Sequence, residues 1–73
     1  MIDVSQITIG SVYMVKGYGY PMLIERLDTL GVNIRSVTFR PATQVAGVWR
    51  TYGTFDLQIP CSLLGKKLVK KIA

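Results

Sequence analysis

Apolar residues fall in short runs separated by glycine, proline and turn-forming residues. Residues 11–16 form the first run, behind Gly10. The segment Lys16-Gly17-Tyr18-Gly19-Tyr20-Pro21 then breaks the pattern and reads as a loop. Residues 22–28 form a second run. Asp28-Thr29-Leu30-Gly31 follows, with Asp first and Gly last, the chemistry of a tight turn. Residues 32–40 are rich in Val, Ile, Thr and Phe, residues 41–47 read as a loop, and residues 50–59 form a fourth run that stops at Pro60.

Periodicity within the runs is that of strands. Phe55, Leu57 and Ile59 alternate with Thr54, Asp56 and Gln58, which predicts one buried and one wet face. Val12 and Met14 alternate with Tyr13 and Val15, and both sets are apolar or amphipathic. In the third run Val32 and Ile34 share one parity while Val37 and Phe39 share the other. A straight strand cannot bury all four, so a bulge or bend is expected near Arg35-Ser36, with Gly53 serving the same purpose in the fourth run. The expected core is Val12, Met14, Ile24, Ile34, Phe39, Phe55, Leu57 and Ile59.

The tail admits two structures. Leu64, Leu68 and Ile72 recur every four residues behind Ser62, as in a capped amphipathic helix. The alternative is a 3₁₀ turn at Ser62-Leu63-Leu64, then Gly65, then a closing strand over residues 67–72. The second is preferred, because a glycine costs a helix about 1 kcal/mol relative to alanine.

In this order of runs and turns the chain resembles the SH3-like barrel. The resemblance implies an all-β, five-stranded barrel, with either a short 3₁₀ turn or a C-terminal helix in the tail. It also implies a long loop at residues 16–21, a short turn at 28–31 and a third loop at 41–48. The stretch Ile59-Pro60-Cys61-Ser62-Leu63-Leu64 is similar to the segment that makes a 3₁₀ turn before the last strand of such barrels. The acidic loop and paired tryptophans of signalling SH3 domains are missing, and Leu63-Leu64 stands where their ligand-binding tyrosine would be. Recognition of proline-rich peptides is therefore not implied, and the fold alone does not fix function.

Composition narrows the classes. Residues 1–73 are expected to form one domain, since a chain of 73 residues has no room for a second core. One cysteine, Cys61, rules out an internal disulfide, and since a secreted domain this small would usually need disulfide staples, a reducing, cytoplasmic setting is expected. Met1-Ile2-Asp3-Val4 has neither the basic nor the apolar region of a secretory leader. No stretch supplies the ~20 consecutive apolar residues of a membrane span, so no membrane partner is expected. Formal net charge is +5. Through residue 36 the charges balance, so the whole excess lies in residues 37–73.

Apparatus for catalysis is thin. Without histidine no Ser-His or Cys-His pair can form. The carboxylates Asp3, Glu25, Asp28 and Asp56 read as solvated surface groups, which argues against acid–base chemistry and a divalent-metal site. Gly17 and Gly19 lack the Lys-Ser/Thr pair of a phosphate loop, and Cys61 reads as a small core residue. The expectation is a protein that is not an enzyme and uses no cofactor or metal.

Binding is better supplied. Tyr18 and Tyr20 stand on a glycine-rich loop, and Trp49 and Tyr52 flank Arg50. Aromatic faces interleaved with cations suit stacking on bases and contact with phosphates. The expected function is therefore nucleic-acid binding, to DNA or RNA, by Arg35, Arg40, Arg50, Lys66, Lys67, Lys70 and Lys71. Tyr18, Tyr20, Trp49 and Tyr52 are the aromatic contacts. The alternative is a protein-interaction or structural module that docks apolar surface on a partner or on a second copy, with Val48-Trp49 as a contact.

Overall fold

A computed structural model describes residues 7–73; Asp3 and the leader reading of residues 1–4 lie outside the described residues. The chain is mostly β. Six strands, β1 (Val12–Val15), β2 (Pro21–Leu30), β3 (Asn33–Val45), β4 (Val48–Thr51), β5 (Leu57–Pro60) and β6 (Leu68–Lys71), accompany one short helix, α1 (Cys61–Lys67), between β5 and β6. All ladders are antiparallel, in the order β4-β3-β2-β1-β6, with β5 also on β3. Among the described residues no ladder joins β6 to β4 or β5, so the sheet is open. None of the helices described is long and apolar enough to cross a membrane.

Residues opposite one another in a ladder share a face, and here those rows build the core. Tyr13 lies opposite Met22, and Val15 opposite Leu68. Ile24, Phe39 and Leu57 form one row across three strands, and Leu27, Val37 and Ile59 form the next. Two bulges keep these rows on one face. The register skips Glu25 between Ile24 and Arg26, which brings Leu27 round to the side of Ile24. It skips Arg35 between Ile34 and Ser36, which brings Ile34 to the side of Val37. The second is the bulge expected from the change of apolar parity in that run.

Several sequence expectations are corrected. The core cluster takes Tyr13 and Val15 from β1; Val12 is buried outside that cluster and Met14 is only half-buried. Ile34 and Leu57 are partly buried against the core, whereas Phe55 lies in the loop before β5 and is 45% exposed. Val32 is 98% exposed because it sits in the β2–β3 turn. That turn is Gly31-Val32, closed by Leu30 opposite Asn33, rather than Asp28 to Gly31. Gly31, with φ 62°, takes the first central position, where a two-residue hairpin requires left-handed backbone.

Residues 41–45 are strand rather than loop, despite Pro41. On one edge β3 pairs with β5 through residues 36–39 and with β4 through residues 42–45. Pro41 falls in the gap between them. Its carbonyl accepts the Tyr52 N–H at 3.0 Å, so its missing N–H points to the same interrupted edge and costs no ladder bond. The fourth run is accordingly split into β4 and β5, giving six strands rather than five, and Gly53 (φ 73°) lies in the break.

The β3–β4 turn is Ala46-Gly47, with φ of 53° and 80°. Left-handed backbone at both central positions favours Asn-Gly, and alanine there is strained by about 1–2 kcal/mol. Ala46→Asn is expected to stabilise the domain by about 1 kcal/mol, raising Tm by roughly 4–8 °C in thermal melts.

The tail is turn and strand, with a longer turn than the 3₁₀ type expected. α1 continues through Gly65 to Lys67. So short a helix is not stable alone. It is held by Leu64, which is buried in the core, and Lys66 and Lys67 sit in its last turn, where cations suit the negative end.

Candidate functional site

The loop between β1 and β2 packs against the β5–α1 corner. At its start the Lys16 N–H donates to the Lys67 carbonyl at 2.7 Å, tying the end of β1 to the end of α1. The Tyr18 N–H donates to the Val15 carbonyl at 3.0 Å, which turns the chain back so that Tyr18 packs partly buried against the core. Between loop and corner runs a groove of about 130 Å³. Val15, Tyr18, Leu57, Ile59, Pro60 and Leu63 supply its apolar lining, and Lys16, Lys67 and Gln58 its polar lining. No carboxylate lines it.

Aromatic surface continues outward from the groove. The Tyr18 ring meets Tyr20 edge-on at 6.0 Å between centroids and lies tilted on Phe55 at 5.9 Å. Tyr20, Phe55 and Leu63 remain exposed. The exposed lysines Lys66, Lys70 and Lys71 follow Lys67 along the end of α1 and β6. In the β1 ladder Lys70 lies opposite Met14 and Lys71 opposite Tyr13, with Val69 bulged out of register.

The expected site residues therefore divide. Tyr18, Tyr20 and Lys67 meet at the groove, and Lys66, Lys70 and Lys71 lie on the elements leading from it. Trp49 and Arg50 line a separate, wider hollow with Ile9 and Leu23. Tyr52 is exposed in the break between β4 and β5, and Arg35 is exposed at the β3 bulge. Arg40 is committed elsewhere, since its Nε lies 3.1 Å from both Glu25 Oε2 and Asp56 Oδ1. Those contacts tie β2, β3 and the segment before β5 together. They also occupy two of the three described side-chain carboxylates, neither of which lines the groove.

Sequence reasoning missed Lys16, Phe55 and Leu63. Lys16 carried a signal, as the cation opening the Gly-Tyr-Gly-Tyr loop. Phe55 was masked by its parity with Leu57 and Ile59.

The chain matches no protein-family model, no curated protein and no solved structure. Among the described residues no three His, Cys, Asp or Glu side chains gather as a metal site. Burial pushes the Tyr13 phenol above its ordinary value, so it remains neutral in the core.

Proposed function

We propose that this protein is a non-enzymatic nucleic-acid-binding domain of SH3-like barrel architecture that acts in the cytoplasm. The strand path supports the architecture. β1 lies between β2 and β6, and β3 between β2 and the β4/β5 edge. β4 and β5 occupy successive stretches of one edge and count as a single interrupted strand, and α1 leads into the last strand. One observation carries the function. Lys16 and Lys67 meet at a groove free of carboxylates, beside the rings of Tyr18, Tyr20 and Phe55, with Lys66, Lys70 and Lys71 next along the chain. Cations beside exposed rings suit a phosphate backbone and the bases attached to it.

The test is fluorescence anisotropy with labelled single- and double-stranded DNA and RNA across a salt series. Affinity is expected at low salt and falls linearly in log–log form as salt rises. No binding to any of these at low salt would end the proposal.

Arg40 supplies an internal control. Its two carboxylate partners make it a structural cation, so Arg40→Gln is expected to leave nucleic-acid affinity nearly unchanged. Because both carboxylates are exposed and Arg40 itself is only half-buried, solvent screens the pairs and the change in stability should be about 1 kcal/mol. Binding isotherms and urea melts of this variant measure both.

A second reading, as an interaction module or homo-oligomer, rests on apolar residues at the two hairpin ends. Leu30, Val32, Val45 and Val48 are all exposed. Sedimentation across a wide concentration range tests it. A monomer throughout would remove self-association.

A further inference from the structure

The groove has the size of one flat ring, with cations at its edge. Its volume, about 130 Å³, is close to that of an engineered protein cavity that holds a benzene ring, roughly 150 Å³. Its lining is mostly apolar, with Tyr18 as its aromatic member, while Lys16 and Lys67 enter from adjacent backbone positions. A nucleotide is amphipathic in the same sense, with a flat ring on one side and an anionic phosphate on the other. Tyr20 and Phe55, outside the groove, extend the aromatic surface for neighbouring bases.

Resting on the nucleic-acid reading above, we infer that the groove between Tyr18 and Leu63 receives one unstacked base of a single strand, with Lys16 and Lys67 on its phosphates. A duplex cannot serve, because its bases are stacked on both faces and it offers only phosphates and base edges to a protein. The chemistry sets no strong base preference, since every base has a flat face. An acidic peptide would satisfy the lysines, but its carboxylates ride on thin aliphatic stems that leave the aromatic lining unused.

The experiment compares three probes of equal length: an oligothymidylate, an abasic strand with the same phosphates, and a duplex. The native protein is expected to bind the oligothymidylate on the order of tenfold more tightly than the abasic strand, the effect of one stacked base. It should also favour the oligothymidylate over the duplex. Leu63→Gln, at an exposed helix position, should bring the ratio of oligothymidylate to abasic affinity towards one. Tyr18→Leu, which keeps apolar volume against the core, should do the same. Circular dichroism confirms that each variant is folded, and Arg35→Gln should leave the ratio as it is.

Equal affinity for oligothymidylate and abasic strand, or for strand and duplex, would overturn the base-in-groove inference while nucleic-acid binding stands. No binding of any probe would overturn both. Displacement of the oligothymidylate by an acidic peptide that shifts the groove amides at comparable concentration would assign the groove to a protein partner instead.

Discussion

Phe39→Ala is expected to unfold the domain or bring it to the edge of unfolding. Phe39 is fully buried in the middle of β3, flanked across the ladders by Ile24 on β2 and Leu57 on β5. It is the one phenylalanine of the core cluster. Truncating such a side chain costs about 3–5 kcal/mol, from lost burial and from the cavity that remains. Small domains sit near the lower end of the usual stability of about 5–15 kcal/mol, so the loss is most of what is present. Phe55→Ala is the contrast. Its ring is 45% exposed and rests on Tyr18, a pair worth about 0.5–1.5 kcal/mol. Thermal and denaturant melts should separate the two variants widely. Equal losses would mean that Phe55 belongs to the core after all.

The second large effect concerns binding. Changing Lys66, Lys67, Lys70 and Lys71 together to Gln should leave the fold intact, because all four side chains are exposed. It should also remove most of the affinity for single strands. Each phosphate contact contributes about 0.7 to the log–log salt slope on a single strand; Lys70 and Lys71 fall on opposite faces of β6, so loss of two to four contacts lowers the slope by about 1.4–2.8. Lys16 remains at the groove and accounts for residual binding. An unchanged slope would show that these lysines do not meet phosphates.

The legibility of the fold tracks where the pattern is one-sided. The Arg35 bulge was readable because the apolar parity changes sign on either side of it. β1 was readable only in part, because both of its faces are apolar: Val12 is fully buried as expected, but the main core cluster takes Tyr13 and Val15 and leaves Met14 half-buried. Pro41 ended the third run on paper, yet its missing N–H lies at a break in the neighbouring ladder, which no local rule reveals. The alternation at Leu57 and Ile59 was extended one step too far, to Phe55. In the tail, the cost of Gly65 argued against helix, and burial of Leu64 overrides it.

The site was legible in its ingredients and not in its assembly. The lysine-rich tail and the Gly-Tyr-Gly-Tyr loop are plain along the chain. That they adjoin depends on β6 pairing with β1, which joins the end of α1 to the start of the loop. Nothing along the chain marks Arg40 off from the other cations, because Glu25 and Asp56 reach its Nε only in the folded sheet.

The most direct test of the account is amide chemical-shift mapping of the native protein titrated with oligothymidylate. The expected shifts cluster at residues 15–20, at Phe55 and along residues 57–71. The hairpin turns at residues 31–32 and 46–47 and the hollow beside Trp49 and Leu23 should stay still. Shifts confined to that hollow or to the hairpin turns, with the groove silent, would contradict it.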